Sequence, residues 1–134
     1  VEPERKNRKV LILDDDPEMQ IFLSTVLTTG GFTPLIAQSG QEAIRIAVAE
    51  SPALIILDVM MSCKENLYHT IRKDKNFKEI PVIMLSALSR NTLFHFQKYQ
   101  SPNFGYRIPE PEAYIEKPPE ADDLLNIVNS LLVR

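Results

Sequence analysis

Four short apolar runs end in residues with chemistry to offer. Residues 10–13 run into Asp14, Asp15 and Asp16; residues 53–57 end at Asp58; residues 82–85 end at Ser86; residues 113–116 end at Lys117. Carboxylates brought together repel and raise one another's pKa unless a cation lies among them. A hard divalent cation answers that repulsion, and Mg²⁺ keeps waters while taking one or two carboxylates plus a phosphate. A carboxylate is also a nucleophile that can form an aspartyl phosphate. An ammonium neutralises phosphoryl oxygens, and a hydroxyl donates a hydrogen bond to them. Asp14, Asp15, Asp58, Ser86 and Lys117 therefore form a phosphoryl-accepting set with Mg²⁺ as cofactor, provided that the fold gathers them. Singly, each has a plainer reading as a polar strand end, a helix cap or a solvated lysine. Only their joint placement argues for a site.

The elements needed to gather them are legible. Residues 10–13, 53–57 and 82–85 are continuous apolar runs without alternation, the pattern of strands covered on both faces. A second strand is expected over 32–37, with Pro34 marking an edge position or a strand that begins just after it, and a fifth over 113–116. Between them lie helical patterns. Asp16-Pro17 opens one that carries Met19, Phe22, Leu23, Val26 and Leu27 and stops at Gly30-Gly31. Ser39 and Glu42 resemble a capping box and open a second, which carries Ala43, Ile44, Ala47 and Val48. Further helices are expected over 65–74, 88–100 and 120–133. The proline-rich stretch 101–112 reads as a loop.

Strands alternating with helices give a parallel sheet with helices on both faces. The fold class expected is α/β, a doubly wound five-stranded parallel sheet of order 2-1-3-4-5, a flavodoxin-like three-layer sandwich. The first strand–helix turn carries acids where a dinucleotide-binding turn needs glycines, so that function is excluded. In a parallel sheet the C-terminal strand ends share one edge, which brings the five residues together.

The 134 residues suit one domain: a tail over 1–8 and the folded unit over 9–134. A net charge of −3 offers no basic excess for a phosphate backbone, so direct nucleic-acid binding by this domain is not expected. No apolar run approaches the roughly 20 residues of a membrane helix, and the charged start has no signal-peptide character. The lone cysteine, Cys63, excludes an internal disulfide. A reducing, cytoplasmic setting is the default expectation. Cys63 reads as inert, and His69 and His95 have no third ligand for zinc.

Four segments in order, VLILDDDP, ALIILDVMM, IPVIMLSA and YIEKP, resemble the receiver domain of two-component response regulators, the CheY-like family. The resemblance spans about residues 9–132. It implies that Asp58 is the phospho-acceptor and that Asp14 and Asp15 are the acidic pair, with Asp15 the more direct Mg²⁺ ligand. Met60 would give its backbone carbonyl to the metal. Ser86 would turn toward the phosphoryl group and Tyr114 would be the aromatic switch. Lys117 would be the family lysine, joined to Pro118 by a cis bond. The implied donor is a sensor histidine kinase or a phosphotransfer domain. Such a domain catalyses its own aspartyl phosphorylation and dephosphorylation yet serves as a signalling switch, with an output domain in a longer chain or a partner as readout.

Two stretches depart from the family pattern. After Met61 the chain has Ser62, Cys63, Lys64 and Glu65 where the family has Pro and a later Gly. Residues 94–111 replace a short turn with a longer run holding Phe94, Phe96, Tyr99, Phe104 and Tyr106. That run reads either as a partner or homodimer surface, or as an extended helix whose aromatics pack onto the sheet. These departures favour an alternative function, a degenerate receiver acting as a phosphorylation-independent interaction module; the five retained residues speak against it. A haloacid-dehalogenase-type phosphatase would use Asp14 and Asp16, but leaves Asp58 unexplained.

Overall fold

A computed structural model of the chain describes residues 7–60, 67–75, 77–87 and 111–132. In chain order these form β1 (Lys9–Leu13), α1 (Pro17–Thr29), β2 (Thr33–Ala37), α2 (Gly40–Glu50) and β3 (Leu54–Asp58), then α3 (Leu67–Lys73), β4 (Val82–Ser86), β5 (Ala113–Glu116) and α4 (Ala121–Leu132). The five strands make one sheet of order β2-β1-β3-β4-β5, and every pair is parallel. The doubly wound order expected from the sequence is the order found. The expected helix over 88–100, nearly all of the 101–112 loop, and Cys63 and His95 lie outside the described residues.

Alternation along the central strands sorts side chains into two cores. Leu11, Leu13, Ile55, Leu57, Val82 and Met84 pack with Ala43 and Ala47 of α2 and with Leu67 and Ile71 of α3. Val10, Ile12, Leu54, Ile56, Ile83 and Leu85 pack on the other face with Leu23 and Leu27 of α1 and Leu124 and Val128 of α4. All five residues of β3 are buried, which is why that strand reads as an unbroken apolar run. β2 and β5 are the sheet edges, and both are only partly covered. Pro34 sits in β2 opposite Val10, where a missing edge donor is tolerated.

The helix ends follow the expected chemistry. Asp16 caps α1 by accepting from the Glu18 N–H at 3.0 Å. Ser39 Oγ accepts from the Glu42 N–H at 3.1 Å, while Glu42 Oε1 accepts from the Gln38 N–H at 2.9 Å. The reciprocal cap is thus closed one residue earlier than in the usual capping box. α1 ends at Gly30, and Gly31 takes the left-handed conformation at φ +88°, which a residue without Cβ adopts without strain.

One residue of α2 turns outward, and one expected strand start shifts. Val48 is 65% exposed. The buried stripe of α2 runs through Gly40, Ala43 and Ala47, and at 3.6 residues per turn Val48 falls about 100° from Ala47. Phe32 is not in β2; it is buried ahead of the strand and its N–H donates to the Leu27 carbonyl at 2.8 Å. At the N-terminal end, Asn7 and Arg8 are held in place. Asn7 Nδ2 donates to the Ser51 carbonyl at 2.6 Å and Arg8 Nε to the Gly31 carbonyl at 2.7 Å, with the guanidinium over the Phe32 ring.

Candidate functional site

The sheet edge formed by the C-terminal ends of β1, β3, β4 and β5 gathers the predicted residues. Asp14 directly follows β1 and is 1% exposed; Asp58 ends β3 at 5%, and Ser86 ends β4 at 2%. Lys117 directly follows β5, and its N–H donates to the Ser86 carbonyl at 2.8 Å. Its ammonium stands 2.9 Å from Asp14 Oδ2 and 3.3 Å from Asp58 Oδ1. The peptide bond from Lys117 to Pro118 is cis, as the resemblance implied. Asp15 is exposed, yet one carboxylate oxygen each from Asp14, Asp15 and Asp58 lie within 4.8 Å of one another.

Charge bookkeeping at this cluster is one-sided, with three carboxylates facing one ammonium. Burial pushes the Asp58 carboxyl above its ordinary pKa; Lys117 pulls it down, Asp14 adds to the rise, and the Met60 backbone N–H donates to it and lowers it. Burial works against the Lys117 ammonium, but hydrogen bonding to Asp14 and the charges of Asp58 and Asp14 win, and its pKa is raised. The lysine is therefore cationic at neutral pH. Asp58 feels more desolvation than compensation, so its charged form gains from any further cation nearby.

Local contacts aim the acids. Asp14 Oδ1 accepts from the Asp16 N–H at 2.9 Å, and Gln20 Nε2 donates to the Asp14 carbonyl at 2.6 Å. Gln20 was missed from sequence; its signal is its place one turn after the Asp16 cap, on the helix that follows the acids. Asp14 Oδ2 is buried, and among the described residues its one polar partner is the Lys117 ammonium. A buried carboxylate oxygen with spare capacity, beside two others, fits a hard oxygen-seeking cation.

Tyr114 is half-buried in β5, paired in register with Met84, and packs against the core on the α2 and α3 side. Met60 lies two residues past Asp58 with its side chain 55% exposed.

The doubly wound sheet and the acid–lysine cluster at its strand ends define the class: a flavodoxin-like α/β domain with a charged cluster at the switch point. Comparison with known proteins makes it specific. The response regulator receiver domain profile matches residues 10–129. The transcriptional-regulator relative ycf27 of Porphyra purpurea is 36% identical over 85 residues, covering 63% of this chain and 35% of that protein. The transcriptional regulatory protein CpxR of Klebsiella pneumoniae is 38% identical over 79 residues, covering 59% of this chain and 33% of its own length. The chain thus spans about a third of the length of the curated relatives it matches. Among solved structures, a response-regulator structure from Chloroflexus aurantiacus superposes at TM-score 0.79 with 26% identity, over 96% of this chain and all of that one. The signal receiver domain of a signal transduction histidine kinase from Syntrophus aciditrophicus superposes at 0.74 with 26% identity, over 92% of this chain and 89% of that one. The chain belongs to the response regulator receiver domain family of two-component systems.

Proposed function

We propose that this domain accepts a phosphoryl group on Asp58 in a Mg²⁺-dependent reaction and acts as a phosphorylation switch in a two-component pathway. The observation that carries the reading is the Lys117 ammonium between Asp14 Oδ2 and Asp58 Oδ1, at 2.9 and 3.3 Å, with Asp15 within reach of the same point. The donor is a phosphohistidine of a sensor histidine kinase or of a phosphotransfer domain. A carboxylate oxygen of Asp58 attacks phosphorus, the P–N bond breaks, and the imidazole leaves with the electron pair and takes up a proton. Hydrolysis later returns the carboxylate and releases inorganic phosphate.

Asp15, Asp58, the Met60 carbonyl and Asp14 are the residues that would hold Mg²⁺, which when bound neutralises charge on the phosphoryl oxygens. Lys117 would supply a second positive charge and Ser86 a hydroxyl donor to the phosphoryl oxygens. Drawing Ser86 toward the phosphoryl group opens space for the Tyr114 ring, and the two arrangements form the bistable element that a readout partner senses. The folded unit over 9–134 works in the cytoplasm, and the readout is an output domain in a longer chain or a partner, which includes a second copy. Among the described residues no helix is long and apolar enough to cross a membrane.

The test is incubation with Mg²⁺ and acetyl phosphate, or with beryllofluoride, followed by intact mass and amide NMR. An added phosphoryl mass that disappears in Asp58→Ala supports the reading. Absence of any change at millimolar donor overturns it and leaves the phosphorylation-independent module in its place.

A further inference from the structure

A second ion pair lies at the opposite edge of the sheet, where strands begin. Arg72, in the last turn of α3, is 8% exposed, and its side chain is almost wholly enclosed. Four of its five guanidinium N–H groups donate within the described residues. Nε donates to the Tyr68 hydroxyl at 3.0 Å, Nη1 to the Lys78 and Ile80 carbonyls at 2.9 and 2.8 Å, and Nη2 to Glu112 Oε1. The same Glu112 oxygen accepts the Val82 N–H at 2.7 Å, while the Glu112 N–H donates to the Val82 carbonyl at 3.0 Å. Glu112 therefore grips the first residue of β4 with both backbone and side chain, immediately before β5 begins.

β5 needs such a grip. It has four residues, lies at the sheet edge, pairs with β4 alone, and none of its residues is fully buried. Burial specifies register weakly in a strand of this kind. Its two ends are fixed instead by charge: Glu112 to Arg72 and Val82 at the start, Lys117 to Asp14, Asp58 and the Ser86 carbonyl at the finish. Slipping one residue would carry Lys117 about 3.3 Å along the strand, a distance comparable to the ion pairs it makes.

We propose that Arg72 and Glu112 form a register latch: a positioning pair that sets β5 against β4 and so holds Lys117 on the two carboxylates across the sheet. Neither residue touches the site. The latch acts through Lys117, and its effect on phosphoryl transfer rests on the function proposed above, whereas its effect on β5 does not.

The experiment uses Glu112→Ala, which removes both side-chain bonds, Glu112→Gln, which keeps an acceptor for Val82 and Arg72, and Arg72→Lys, which keeps the charge but loses the fork. All are studied at a temperature where circular dichroism shows them folded; if Glu112→Ala does not fold, Arg72→Lys carries the test. Amide NMR is read first. The latch requires shifts at Ser86, Glu116 and Lys117 in Glu112→Ala and Arg72→Lys, with β2 unmoved and Glu112→Gln close to the parent. Phosphorylation by acetyl phosphate is then expected to slow about 10-fold in the two disrupted variants, with Mg²⁺ affinity held. In a Lys117→Met background, Glu112→Ala should add no further loss. Unmoved β5 amides, or slowing that simply adds to that of Lys117→Met, would overturn the latch. A parent protein that takes up no phosphoryl group sinks the function instead, and the amide shifts alone then decide the latch.

Discussion

The ammonium of Lys117 sits closer to Asp14 than to Asp58, 2.9 Å against 3.3 Å. The lysine thus neutralises mainly the deeper carboxylate and leaves Asp58 only partly compensated. Truncating Lys117 isolates a buried charge at Asp14. Removing one partner of a buried pair costs about 3–5 kcal/mol, and loss of a fixed charge at a developing anion slows transfer by about 10²–10³. Lys117→Met should therefore lose stability in urea denaturation and phosphorylate at that reduced rate. A rate near that of the parent would remove Lys117 from the chemistry.

The raised pKa of Asp58 has a sign that can be worked out. Burial lifts it above the ordinary 3.8, so between the two values the folded chain holds a proton that the unfolded chain has released. Stability then falls as pH rises through that window, and the benefit of the protonated form is gone above the folded value. Lys117 is also raised, above 10.5, so the stability it adds is full below that pH and is lost in more alkaline solution. Asp58→Asn should accordingly melt higher than the parent at pH 7, by about 1.4 kcal/mol for each unit of elevation removed. Equal melting temperatures across pH 4–8 would contradict the desolvation argument. Attack requires the carboxylate, so the phosphorylation rate measured at low Mg²⁺ should drop with falling pH, with an inflection above that of a free aspartate.

Mg²⁺ should stabilise the fold through the same acids. A ligand that binds only the native state adds about 2.7 kcal/mol at 100 times its Kd, and the three oxygens within 4.8 Å of one another are the candidate ligands. Thermal melts with increasing Mg²⁺ should climb in the parent. In Asp15→Asn they should stay flat: this residue is exposed, so its substitution leaves the core intact. A climb of equal size in that variant would remove Asp15 from the ligand set.

How far the sequence spoke follows from how local each signal is. β3 is readable because both of its faces are buried, which forbids polar residues along its length until Asp58. The α1 and α2 starts are readable because capping needs a particular residue within three positions. The site itself is legible by a less local route: parallel strands place their C-terminal ends together whatever the intervening helices do. The Arg72–Glu112 pair has no such rule, since 40 residues separate its members and neither ends an apolar run. Its one local trace is an arginine on the buried stripe of α3, beside Leu67, Tyr68 and Ile71. The exposure of Val48 is not legible, because an apolar residue at helical spacing near a helix end carries the same signature whether or not a neighbour covers it.

Two adjacent glycines end α1 for different reasons, and substitution separates them. Gly31 lies at φ +88°, where any Cβ is strained; Gly31→Ala should cost about 1–2 kcal/mol. Gly30 has an ordinary φ of −80°, but a Cβ there would stand 2.5 Å from Leu125 Cδ2 and force that side chain to another rotamer. Since Leu125 is only partly buried on α4, it has room to yield, and a displaced flexible side chain costs about 1 kcal/mol or less. Urea denaturation of the two variants should therefore rank Gly31→Ala as the more damaging. In Gly30→Ala the Leu125 methyl resonances should shift, and in Gly31→Ala they should not. The reverse ranking would mean that the α1–α4 contact, rather than the left-handed turn, limits this corner of the fold.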